Sequence, residues 1–166
     1  MANTYTLIEA KTLTTTTASI EFTSIPSTYT DLLLKVSARH STAEISNDIL
    51  VSFNASTSNF TANRMYGSGS STGSDNNDRS MGTTVGANAT ASTFASNDIY
   101  IPNYASSNYK PYLTDQVGEN NATTAYQILV AGLWSDTSVI NAIKLQPATG
   151  SFVAYSTFYL YGISNS

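Results

Sequence analysis

The residues that could do chemistry in this chain are few, and their spacing is poor. Gly69-Ser70-Ser71-Thr72-Gly73 matches the pattern of a nucleophile elbow. That chemistry needs a strand before the serine, a helix after it and a histidine later in the chain. Here the match falls in Ser/Gly low complexity, and the single histidine, His40, comes earlier. A lone histidine could serve as a general base or as half of a metal site, but no second imidazole or thiol accompanies it. It reads as an exposed or interface histidine.

The carboxylates fare no better. Asp75 and Asp78, with Asn76 and Asn77, offer oxygen ligands of the kind calcium takes. They lack the alternating spacing, turn glycine and terminal Glu of a calcium-binding hand, and read as a solvated loop. Asp115 and Glu119, or either with Asp98, could be paired acids for glycoside hydrolysis, which needs two carboxyls roughly 5 Å or somewhat further apart. Spacing along the chain shows no such approach, so they read as surface acids. Four Asn-x-Ser/Thr triplets, at Asn54, Asn59, Asn88 and Asn121, are expected in a chain so rich in these residues. No catalytic, cofactor or metal residue is assigned.

The tyrosines carry a different signal. Of 11 in the chain, Tyr100, Tyr104, Tyr109 and Tyr112 bunch around Pro102 and Pro111. Tyrosine supplies rigid amphipathic area to binding surfaces, and is also common in strands. These four form the candidate interface.

What must position such residues is a two-residue rhythm. Ala18, Ile20 and Phe22 alternate with Ser19, Glu21 and Thr23; Ile49, Val51 and Phe53 alternate with Leu50, Ser52 and Asn54. Period two is the mark of a pleated strand with one face buried. It predicts strands at Thr4–Glu9, Ala18–Thr23, Asp31–Arg39, Asp48–Asn54, Phe94–Tyr104, Tyr112–Val117, Ala125–Trp134, Val139–Gln146 and Phe152–Ile163, with a short edge strand within Gly82–Ser92. In Ala125–Trp134 both faces are apolar, which predicts a central strand covered on both sides. The Gly67–Asp78 stretch has too little apolar surface to offset its ordering entropy, and predicts a flexible loop at about 67–78.

Only 11% of the 166 residues are charged, against about 25% in an average domain. Ser, Thr and Asn take their place, and these disfavour helix interiors. The expectation is one all-β domain over residues 1–166, an eight- to nine-stranded two-sheet sandwich of jelly-roll type. The net charge of −4 and scattered lysines argue against nucleic acid as a partner. The absence of cysteine removes any disulfide framework. No leader and no run of roughly 18 apolar residues is seen, which predicts a soluble product with no membrane partner.

The run Ala18-Ser19-Ile20-Glu21-Phe22-Thr23-Ser24-Ile25-Pro26-Ser27-Thr28-Tyr29-Thr30-Asp31-Leu32, followed by the strand Ile49–Asn54, resembles an opening found in small structural proteins of tailed bacteriophages, including cyanophages and other marine phages. Asn97–Tyr104 and the ending Tyr159-Leu160-Tyr161-Gly162-Ile163 are similar to segments of the same group. The likeness spans most of the chain outside Gly67–Asp78. It implies a virion protein made in the host cytoplasm, a jelly-roll module assembling as a homotrimer and lacking enzymatic activity. The leading expectation is a capsid decoration (cement) protein whose partner is the major capsid protein. The alternative is a tail-fibre or receptor-binding module contacting other tail proteins and host glycans. An enzyme reading finds no support in the residues.

Overall fold

Alternation along the chain resolves into twelve strands and no helix in the computed structural model, which describes residues 4–121 and 123–164. The first three residues of the N-terminal reading, and Ala122 within the Asn121 triplet, lie outside the described residues. In chain order the strands are β1 (Tyr5–Thr12), β2 (Ile20–Phe22), β3 (Asp31–Ala38), β4 (Ser46–Phe53), β5 (Phe60–Gly67) and β6 (Thr72–Asn76). They continue as β7 (Ser80–Val85), β8 (Ala95–Ile101), β9 (Lys110–Glu119), β10 (Ala125–Trp134), β11 (Ile143–Pro147) and β12 (Thr157–Ile163). Among the described residues no helix is long and apolar enough to cross a membrane.

The strands form two antiparallel sheets packed as a sandwich. The larger has eight strands in the order β1-β12-β3-β8-β9-β10-β5-β6, and the smaller has four, β2-β11-β4-β7. The blocks β1-β12-β3-β8 and β2-β11-β4-β7 are compatible with a jelly roll. Two hairpins, β5-β6 and β9-β10, are added to that plan. They pair with each other and widen the larger sheet alone.

Alternation sends one side of every strand into the space between the sheets. Leu32, Leu34 and Val36 of β3, Ile99 of β8, Val130 of β10 and Leu160 of β12 meet Phe22, Ile49, Val51, Phe53, Ile143 and Leu145 of the smaller sheet, all buried. Each such side chain contributes about 1.5–3 kcal/mol by leaving water. At one end Phe53, Phe60 and Trp134 pack with ring centroids 5.4–6.0 Å apart, and Tyr112 meets Phe53 edge-on at 6.3 Å. Such tilted and edge-on pairs suit the ring quadrupoles.

Three expectations are corrected here. The chain has more strands than the eight or nine expected. The supposed loop at 67–78 is the tip of the β5-β6 hairpin and the whole of β6. Gly69 turns the chain at φ +83°, as the first central residue of a two-residue turn requires, and Arg64 of β5 clasps Asp75 of β6 at 2.6 and 2.8 Å. Backbone pairing and one ion pair order a segment with no apolar side to bury. Third, β10 is covered on one side only. Tyr126, Ile128, Val130 and Trp134 point inward, while Gln127, Leu129 and Ala131 are exposed. With two layers, none of the described residues lies over that face.

The short strand expected within Gly82–Ser92 is β7, and it is buried along its whole length. It lies at the edge of the smaller sheet and packs across β8, β9 and β10. Gly82, at φ +110°, lets the backbone pass Asn97, whose amide bonds the Thr83 backbone at 3.2 and 3.0 Å.

Candidate docking face

The outer face of the larger sheet is built by cross-strand register. Leu7, Tyr161, Leu33, Tyr100, Leu113 and Ala131 stand opposite one another on six successive strands and form an apolar row. The next row along the strands reads Tyr159, Lys35, Asp98, Asp115, Leu129 and Met65. Six of the eleven large apolar side chains exposed among the described residues lie on this face: Tyr5, Leu7, Met65, Leu113, Val117 and Leu129, each 41–66% exposed.

The centre of the face carries the only charges in these two rows. Lys35 forms an ion pair with Asp98, both side chains half-exposed. Asp115 lies directly across from Asp98 on the neighbouring strand, and its side chain has neither ion pair nor hydrogen bond among the described residues. Like charges opposite one another weaken a sheet. Within the isolated chain the Asp115 side chain has no counter-charge paired to it.

The four tyrosines of the expected interface are divided. Tyr104 is fully buried and donates its hydroxyl to the Pro26 carbonyl; Tyr112 is buried against Phe53 and donates to Ser80 O at 3.1 Å. Burial pushes both phenols above their ordinary pKa. Tyr100 stands on the outer face and donates to Asp31 at 2.8 Å, which also raises its pKa. Tyr109 is exposed in the connection before β9. A surface of this chain reaches Tyr100 and Tyr109 only, because alternation and a loop separate what the sequence bunches.

The remaining candidates turn out to be ties within the fold. His40 is fully buried inside the chain, contrary to the exposed or interface position expected. Its Nδ1 lies 2.6 Å from Thr84 Oγ1, and its Nε2 lies 3.8 Å from a Glu44 oxygen with no hydrogen bond. Burial lowers its pKa, opposed in part by Glu44. The Gly69–Gly73 motif lies on the β5-β6 tip, with no helix after it. Glu119 accepts from the backbone and hydroxyl of Thr90, the hydroxyl of Thr93 and the backbone of Asn121 at 2.6–2.8 Å, fixing the loop after β7. Asp98 and Asp115 are neighbours, but Asp98 is held by Lys35. Hydrogen bonds from Arg64 hold the Asp75 pKa down. No group of three His, Cys, Asp or Glu that could hold a metal ion occurs among the described residues.

A cleft of about 290 Å³ opens between the sheets beside Asp48, Arg64, Tyr66, Thr83 and Tyr126. Its strongest polar group is Arg64, whose Nε and Nη2 hold Asp75 and whose Nη1 holds Asp48. This guanidinium braces β4, β5 and β6 rather than facing a ligand. The outer sheet face, by contrast, is large, largely apolar and unused by the chain itself; its signal in the sequence was the apolar second side of β10. Comparison with family models, with curated proteins and with solved structures finds no match to this chain, so its own residues carry the functional reading.

Proposed function

We propose that this protein is a non-enzymatic structural component of a tailed-phage particle, a jelly-roll capsid decoration protein that strengthens the head by binding across its subunits. The observation that carries this reading is the outer face of the eight-stranded sheet. Eight strands set about 4.8 Å apart and exposing about 20 Å of their length give a face of roughly 700 Å². The largest apolar patch on an ordinary monomer is roughly 300–600 Å², whereas a standard interface covers roughly 800 Å² per partner. A face of that size, apolar along one row and charged in the next only at Lys35, Asp98 and Asp115, suits a protein that works while covered. The phage-like opening run supplies the choice of particle.

The mechanism follows from linkage. A protein that binds only the assembled shell stabilises that state, by about 2.7 kcal/mol per site when present at 100 times its dissociation constant. Quantitative mass spectrometry of purified particles of the phage encoding the chain tests the reading. Hundreds of copies per particle are expected. Tens of copies would remove the decoration role, and absence would remove the virion role.

A further inference from the structure

We propose that the partner covering the outer face is a second copy of this chain, joined face to face about a two-fold axis running close to β8. This rests on the reading above, that the face is covered in the working state, and assigns that cover to a second copy, which leaves contact with the head to other surfaces of the pair.

The self-complementarity comes from the register. Strands β3 and β9 flank β8, and Lys35, Asp98 and Asp115 are direct cross-strand partners at one level of those three strands. A two-fold axis along β8 carries β3 of one copy over β9 of the other without moving along the strand. Lys35 then faces the second copy's Asp115, and Asp115 faces its Lys35, so that each lysine bridges its own Asp98 and the other copy's Asp115, while the two Asp98 side chains meet near the axis as the one unfavourable contact of the row. The acid that has no partner inside the chain gains one, twice per pair.

The apolar row obeys the same operation. Leu33 comes over Leu113, and Tyr161, two strands out, comes over Ala131, so a large side chain meets a small one. Packed sheets lie about 10 Å apart, a gap that lysine and aspartate side chains span together. They cross at about 30°, which at one strand from the axis displaces Lys35 from Asp115 by only about 2–3 Å. An isologous contact of this kind closes at two copies. It therefore departs from the trimer that the phage resemblance implies.

Sedimentation equilibrium of the purified chain, and of five variants, tests the proposal. A dimer at micromolar concentration is expected. Leu113→Glu should make it a monomer, and Val139→Glu, exposed but off this face, should leave it a dimer. Lys35→Glu and Asp115→Lys should each weaken dimerisation about tenfold, through like charges at both contacts. The double variant, Lys35→Glu with Asp115→Lys, should recover most of the loss, because both pairs re-form with their signs exchanged. Near-UV circular dichroism confirms that each variant folds. A monomer at 100-fold higher concentration than micromolar, a trimer, a dimer indifferent to Leu113→Glu, or no recovery in the double variant would each overturn the proposal. A monomer present in hundreds of copies per particle overturns the second-copy assignment alone; a dimer absent from particles overturns the decoration reading alone.

Discussion

His40 sits where a proton is unwelcome. Its ring is fully buried, its pKa is lowered by that burial, and the charged neighbours facing it are Glu44, which opposes the shift, and Arg39, which adds to it. An unfolded chain binds the proton more readily, near the ordinary pKa of about 6.5. The stability supplied by neutral His40 is thus complete above that value, and is lost as pH falls below it toward the lower folded pKa. Urea midpoints measured at pH 7.5 and pH 5.0 should fall for the native chain, and fall less for His40→Gln. Two glycines make a steric prediction at the same scale. A Cβ on Gly132 would stand 1.9 Å from the Tyr112 ring, and one on Gly162 would stand 2.3 Å from the Tyr29 ring. Alanine at either position should cost about 1–3 kcal/mol and lower the melting temperature by several degrees. Alanine at Gly67, where a Cβ meets nothing within 4 Å, should cause no loss.

Among the elements, the β5-β6 hairpin depends most on a single side chain. Its outer strand, Thr72–Asn76, has no buried residue and forms one edge of the larger sheet. Arg64 binds Asp75 across the hairpin and Asp48 across to the smaller sheet. Its side chain is mostly covered, so the pair lies between an exposed bridge and a buried one. Arg64→Met should cost about 1–3 kcal/mol. Hydrogen exchange should show β6 amides losing protection before those of β10. The hairpin also marks the limit of reading elements from the sequence. Ala125–Trp134 was legible to the residue, because apolar positions recur on both of its sides. β6 was illegible, because Thr72-Gly73-Ser74-Asp75-Asn76 has no apolar period and its pairing runs through backbone groups that every residue carries. The aromatic corner was half legible: Trp134 and Phe53 were on inward faces, but nothing local placed Phe60 against them.

On the scale of the whole molecule, widening one sheet has a consequence for assembly. The smaller sheet has four strands and the larger eight, so the added hairpins enlarge the outer face more than the core. Leu113, Val117, Leu129 and Met65, four of the six exposed large residues on that face, belong to the added strands. Deleting one hairpin, residues 60–76, should leave β10 as an edge and raise the tendency to aggregate, because an unpaired strand recruits another chain. Light scattering on the shortened protein should detect aggregation, while the intact chain stays at one defined size.

The alternation of side chains along each strand is a local property, set by the pleat, and from it the sequence alone determined an all-β sandwich and which residues share one side of each alternating strand. It also placed apolar residues on the second side of β10, and wrongly expected a covering layer there within the chain. The tertiary structure decided everything that depends on which strand lies beside which. It divided Tyr100, Tyr104, Tyr109 and Tyr112 between surface and core, buried His40 beneath Thr84, and tied Arg64 to two distant carboxylates. It also put Lys35, Asp98 and Asp115, up to 80 positions apart in the chain, into one row on three neighbouring strands. Register between strands is a long-range property, fixed by packing of the whole core, and the face that results exists only once the sheet is assembled.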